Sequence, residues 1–153
     1  MDLILWRHAQ AVDGTPDIER ALTPRGEKDA ERVGAWLRKR LPDDGVTVVS
    51  STARRTRQTA DALGVRYETD AGLYHGTSPQ GVLERVGWPQ RSSGTVIVVG
   101  HQPWIGEVAA LIVSGRADPW PVRKGGLWWL TWRDDGGDGE VLVKAVIAPD
   151  LLR

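Results

Sequence analysis

Three short, nearly uninterrupted apolar runs constrain this chain more than any other feature: Leu3-Ile4-Leu5-Trp6, Val46-Thr47-Val48-Val49 and Thr95-Val96-Ile97-Val98-Val99. A short run without polar alternation suits a strand buried on both faces, the environment inside a parallel sheet covered by helices. Segments of helical period lie between these runs. Thr23-Pro24 supplies an N-cap and a proline at the first helical position, after which Ala30, Val33, Trp36, Leu37 and Leu41 recur on one face before Pro42. Thr52 to Leu63 places Ala53, Thr56, Ala60 and Leu63 on one helical face, with Gly64 as its stop. The stretch from Val65 to Arg91 predicts a short strand at Val65–Tyr67 and a short helix near Gln80–Val86. Pro103 opens a further helix, with Val108, Ala109, Leu111 and Ile112 inward and Gly115 at its end. Two late strands, about Leu127–Trp132 and Val141–Ala148, flank the turn over residues 134–139.

Strand–helix alternation closed by a hairpin predicts an α/β fold with a mostly parallel sheet. The 153 residues suit one domain, taken here as 1–153. Twenty basic residues balance twenty acidic ones, so no global field favours nucleic acid or an anionic membrane as partner. The absence of cysteine excludes disulfides, thiolate metal sites and a cysteine nucleophile. Leu3–Trp6 is too short for a signal segment and no run approaches a membrane span, so a cytoplasmic protein is expected.

Ligands of open α/β sheets bind beyond the carboxyl ends of the strands. At those ends stand Arg7-His8, then Ser50-Ser51 leading to Arg54-Arg55, then Gly100-His101. Two histidines and a set of arginines suit a tetrahedral oxyanion, because guanidinium grips such oxygens in pairs and keeps its charge. Ser51, Thr52 and the helix start after them would add donors. A neutral imidazole held at one ring nitrogen can attack through the other. A zinc site from His8, His75 and His101 is disfavoured by the adjacent arginines and the lack of a completing carboxylate.

Four segments carry a family resemblance, in chain order: Leu5-Trp6-Arg7-His8-Ala9, Leu22-Thr23-Pro24-Arg25-Gly26, Ser51 through Arg55 to Gln58-Thr59-Ala60, and Val99-Gly100-His101-Gln102-Pro103. Together they resemble the histidine phosphatase superfamily, the phosphoglycerate-mutase-like fold, and within it the SixA-type phosphohistidine phosphatases. The resemblance covers about two thirds of the chain. It implies a three-layer α/β/α sandwich with a mostly parallel central sheet and a C-terminal hairpin. It implies His8 as the nucleophile that becomes phosphorylated. It further implies Arg7 and Arg55 as phosphate-binding arginines, and His101 as a second pocket histidine donating to phosphate. No cofactor or metal is implied. Arg54 and His75 match no motif and are expected as ordinary rim or surface residues, while Arg25 could point toward the rim.

The chain departs from larger members, which carry a general-acid glutamate where this sequence reads Leu73-Tyr74-His75-Gly76. Asp70 and Glu68 lie nearby but match nothing. An alkoxide needs such an acid, whereas imidazole, with a conjugate-acid pKa of about 6.5, leaves with less help. The expected substrate is therefore a phosphohistidine-bearing protein, with phosphate in the pocket. A small-molecule phosphomonoesterase or mutase, or a non-catalytic phosphate-recognition module, is the alternative. The aromatic run Leu127–Trp132 is expected as core, with an exposed patch for a partner as its other reading.

Overall fold

The computed structural model describes residues 1–74, 76–89, 94–134 and 136–153. The elements follow as β1 (Asp2–Arg7), α1 (Pro24–Arg38), β2 (Val46–Ser50), α2 (Arg54–Asp61), β3 (Glu68–Thr69), α3 (Pro79–Val86), β4 (Thr95–Gly100), α4 (Trp104–Ser114), β5 (Leu127–Arg133) and β6 (Glu140–Ile147). Short 3-10 turns lie at Asp17–Glu19, Ala71–Leu73 and Pro149–Leu152.

The strands form one open sheet in the order β3-β2-β4-β1-β5-β6. The first four are parallel, and β5 and β6 run antiparallel at the other side. The apolar runs lie at its centre, with Leu3 to Trp6 fully buried and every residue of β4 buried. Side chains alternate between faces along a strand. Leu3, Leu5, Val96 and Val98 meet Val82 and Val86 of α3 and Ile105 and Val108 of α4. Ile4, Trp6, Ile97 and Val99 meet Val33 and Leu37 of α1, Ala60 of α2 and Leu63 just beyond it. Helices therefore cover both faces, giving the three-layer α/β/α sandwich. Each fully buried aliphatic side chain contributes about 1.5–3 kcal/mol.

Local chemistry explains the helix limits. Thr23 caps α1 by accepting from the Gly26 amide, and Ser78 caps α3 by accepting from Gly81. Gly115 closes α4 at φ 80°, a left-handed conformation that glycine adopts without a side-chain clash. The α1 helix stops at Arg38, earlier than Leu41, but Arg40 and Leu41 both bond back to the Leu37 carbonyl, so Leu41 still reaches the core. The predicted strand at Val65–Tyr67 forms instead at Glu68–Thr69, where two exposed polar residues pair with Val49 and Ser50 at the sheet edge.

The tryptophan strand is internal. Leu127 and Trp129 enter the layer under α1 and α2, while Trp128 and Leu130 enter the opposite one. Trp36 meets Trp129 edge-on at 6.1 Å between ring centres, and Trp88 meets Trp132 at 6.4 Å. Among the described residues, no helix is long and apolar enough to cross a membrane.

Candidate active site

Strand register builds the site. β1 and β4 pair in parallel with Arg7 opposite Gly100, so the next residues, His8 and His101, emerge side by side at one rim. Their ring centres are 5.4 Å apart. β2 pairs β4 with Ser50 opposite Val99, which brings Ser51 beside the same point. The backbone is fastened there: His8 donates its amide to Gly100, and Gly125 donates to the His8 carbonyl.

His8 is only 7% exposed. Its Nδ1 lies 2.7 Å from the Ala9 carbonyl oxygen, which can only accept, so Nδ1 carries the proton and Nε2 keeps the lone pair. Burial drives the His8 pKa down to about 4, and the charges of Arg55, Arg7 and Arg20 push the same way against the Ala9 hydrogen bond. The ring is neutral at pH 7, as a nucleophile requires.

The two arginines of the motifs stand next to it. Arg7 donates Nη1 to the Val122 carbonyl at 2.6 Å, and burial lowers its pKa. Arg55, 7% exposed, donates Nη1 to the Asp17 carbonyl, Nη2 to the Asp17 carboxylate at 3.0 Å, and Nη2 to His101 Nδ1 at 3.4 Å. The Nε–H groups of both Arg7 and Arg55 are buried without a hydrogen-bond partner in the protein. Buried, unsatisfied donors on charged groups are costly, and an oxyanion would satisfy them.

His101 is oriented by a chain of hydroxyls. Thr56 Oγ1 lies within donating distance of the Ser51 and Ala53 carbonyls, so it accepts from Ser51 Oγ at 2.7 Å, and Ser51 Oγ in turn accepts from His101 Nε2–H at 2.6 Å. Nδ1 then faces Arg55. Ser51, expected to offer a donor to the ligand, is instead bound to His101 and Thr56.

Other motif residues fasten the loops. Thr59 Oγ1 accepts from the Ala9 amide at 3.1 Å, Gln58 accepts from Leu22, and Gln102 bridges Gly106 and the Trp120 carbonyl. Arg54 is exposed. His75 lies outside the described residues. Asp70, considered as an acid, caps Gly72 and pairs with Arg85, while Glu68 is exposed on the edge strand.

Sequence reasoning missed Asp17 and Tyr74. The Asp17 carboxylate accepts from Arg55, Arg20 and the Tyr74 hydroxyl. The Tyr74 bond, followed by those of Arg20 and Arg55, holds Asp17 well below the usual carboxylate range despite some desolvation. Tyr74, in turn edge-on to His101 at 5.7 Å, occupies the position after Leu73. No local pattern marks a pairing across 57 residues. Among the described residues, no cluster of three His, Cys, Asp or Glu side chains could hold a metal ion.

The profile of the histidine phosphatase superfamily (branch 1) matches residues 3–77. A Mycobacterium tuberculosis protein, Rv1276c, is 37% identical over 114 residues, 71% of this chain and 70% of that protein. The chain belongs to the histidine phosphatase superfamily. A candidate SixA phosphohistidine phosphatase from Nakamurella multipartitia has a solved structure that is 32% identical, covers 97% of this chain and 95% of its own, and superimposes with a TM-score of 0.77. The protein histidine phosphatase SixA complexed with tungstate is 22% identical, spans 100% of both chains, and shares the fold at a TM-score of 0.82.

Proposed function

We propose that this member is a cytoplasmic, single-domain phosphatase that hydrolyses phosphohistidine on a protein, through a covalent phosphohistidine at His8. One observation carries the reading: His8 is buried, neutral and locked through Nδ1 on Ala9, leaving an Nε2 lone pair beside two arginines whose Nε–H donors have no partner. Nε2 attacks phosphorus as the bond from phosphorus to the substrate nitrogen breaks, and the substrate ring, protonated on its other nitrogen, takes that electron pair and leaves as neutral imidazole. Water then attacks the phosphorus on His8, releasing orthophosphate and restoring the Nε2 lone pair. Arg7, Arg55 and His101 would hold the equatorial oxygens, where charge must be stabilised during transfer. That a SixA protein of the same fold binds tungstate, a tetrahedral oxyanion, agrees with this pocket.

The residues after Leu73 decide the leaving group. Tyr74 places its hydroxyl on Asp17, and an Asp17 carboxylate held ionised has no proton to give. A basic alkoxide would leave slowly from such a site, and imidazole would not. The test is single-turnover phosphorylation of the enzyme by a phosphohistidine peptide, substituted phenyl phosphates and alkyl phosphates. The phosphohistidine peptide should react well, and rates on the esters should fall steeply as the leaving group grows more basic. A flat dependence, with sugar or glycerate phosphates among the good substrates, would favour a small-molecule phosphomonoesterase instead.

A further inference from the structure

A second, strongly charged cavity opens on the same rim. It has a volume of about 370 Å³ and is lined by Arg25, Arg123, Lys124 and Arg153 with Asp29 and Asp150. Four cations against two carboxylates leave a local positive excess in a chain whose formal net charge is zero. Arg153 is fixed by the buried Asp29 at 3.1 Å, and Arg32 also reaches that carboxylate. Among the described residues, no ion pair holds Arg25, Arg123 or Lys124.

The cavity is tied to the nucleophile through backbone. Arg123 and Lys124 sit on the loop whose Val122 carbonyl receives Arg7 and whose Gly125 amide binds the His8 carbonyl. Gln10, two residues beyond His8, forms part of its wall and is bound by Thr23 at the start of α1, next to Arg25. An extended substrate with its phosphoryl group at His8 has this cavity within a few residues' reach, since each residue spans about 3.3 Å.

We infer that the cavity of Arg25, Arg123, Lys124 and Arg153 receives carboxylate side chains flanking the phosphorylated histidine of a protein substrate, and so selects acidic segments. The inference rests on the protein-substrate reading above. Exposed cations act mainly on encounter and on KM, and their effect is screened by salt.

The test uses two peptides carrying a non-hydrolysable phosphohistidine mimic, one flanked by glutamates and one by glutamines. Each is measured as an inhibitor of 4-nitrophenyl phosphate turnover. At low salt the glutamate peptide should bind roughly tenfold tighter, and 0.5 M salt should erase about that whole difference. In the double variant Arg123→Gln, Lys124→Gln the preference should vanish, while kcat for 4-nitrophenyl phosphate, which also reports folding, stays unchanged. Equal inhibition by the two peptides in the native protein, or a preference that survives in the variant, would overturn the inference. Turnover of the matching phosphohistidine peptides is followed in parallel. Its absence beside brisk aryl phosphate turnover would sink the protein-substrate reading, while the inhibition ratio would still decide what the cavity binds.

Discussion

At the scale of single residues, a buried neutral imidazole between arginines makes His8 a measurable object. Its pKa near 4 should appear directly in a histidine-resolved NMR titration, and bound phosphate should raise it, because an anion favours the imidazolium. The same depression links to stability. Between pH 6.5 and 4 the unfolded chain binds the proton that folded His8 refuses, so stability falls as pH drops through that window, by up to about 3 kcal/mol. Urea unfolding at pH 7 and pH 4.5 should therefore show a smaller loss in His8→Asn than in the native protein; an equal loss would contradict the assigned environment. Arg55→Ala should reduce turnover by roughly 2–4 kcal/mol of transition-state stabilisation, the scale for one preorganised donor. Asp17→Asn keeps an acceptor for Arg55 but removes a charge that repels the incoming anion. It should tighten vanadate binding several-fold, read as a lower inhibition constant. Arg7, His8, Arg55 and His101 were legible because the strands run straight into three of them and the fourth opens the helix that follows. Asp17 and Tyr74 were not, since loops far apart in sequence bring them together.

At the scale of elements, the site depends on how closely α1 approaches the loop after β1. Gly26 sits where an added Cβ would overlap the Gln10 carbonyl oxygen, two residues beyond His8. Gly26→Ala should thus push α1 away and destabilise the fold by about 1–3 kcal/mol, with a drop in turnover larger than the stability loss explains. Urea unfolding and kcat at full folding separate the two effects; a neutral Gly26→Ala would mean that the helix start does not position the nucleophile loop. The buried strands and capped helices followed from sequence because burial on both faces and N-cap chemistry are local signals. The edge strand did not. Its pairing at Glu68 and Thr69 owes nothing to apolar pattern and follows only from the free edge of β2. The tryptophan strand was legible as core because it is apolar on both faces, and the sheet order adds its place between β1 and β6.

At the scale of the whole molecule, a parallel sheet brings two histidines to one rim and helices on both faces exclude water beneath them. Everything in the proposed chemistry passes through one covalent bond, from phosphorus to His8 Nε2. The measurement that tests it most directly is rapid quenching of the protein with a radiolabelled phosphodonor, followed by mapping of the labelled peptide. A phosphoryl group on His8 should give a label that is acid-labile and base-stable, lies on the peptide containing His8, forms fast enough to carry turnover, and is absent from His8→Ala together with activity. Labelling that persists in His8→Ala, or turnover without any trapped phosphoryl group, would contradict it.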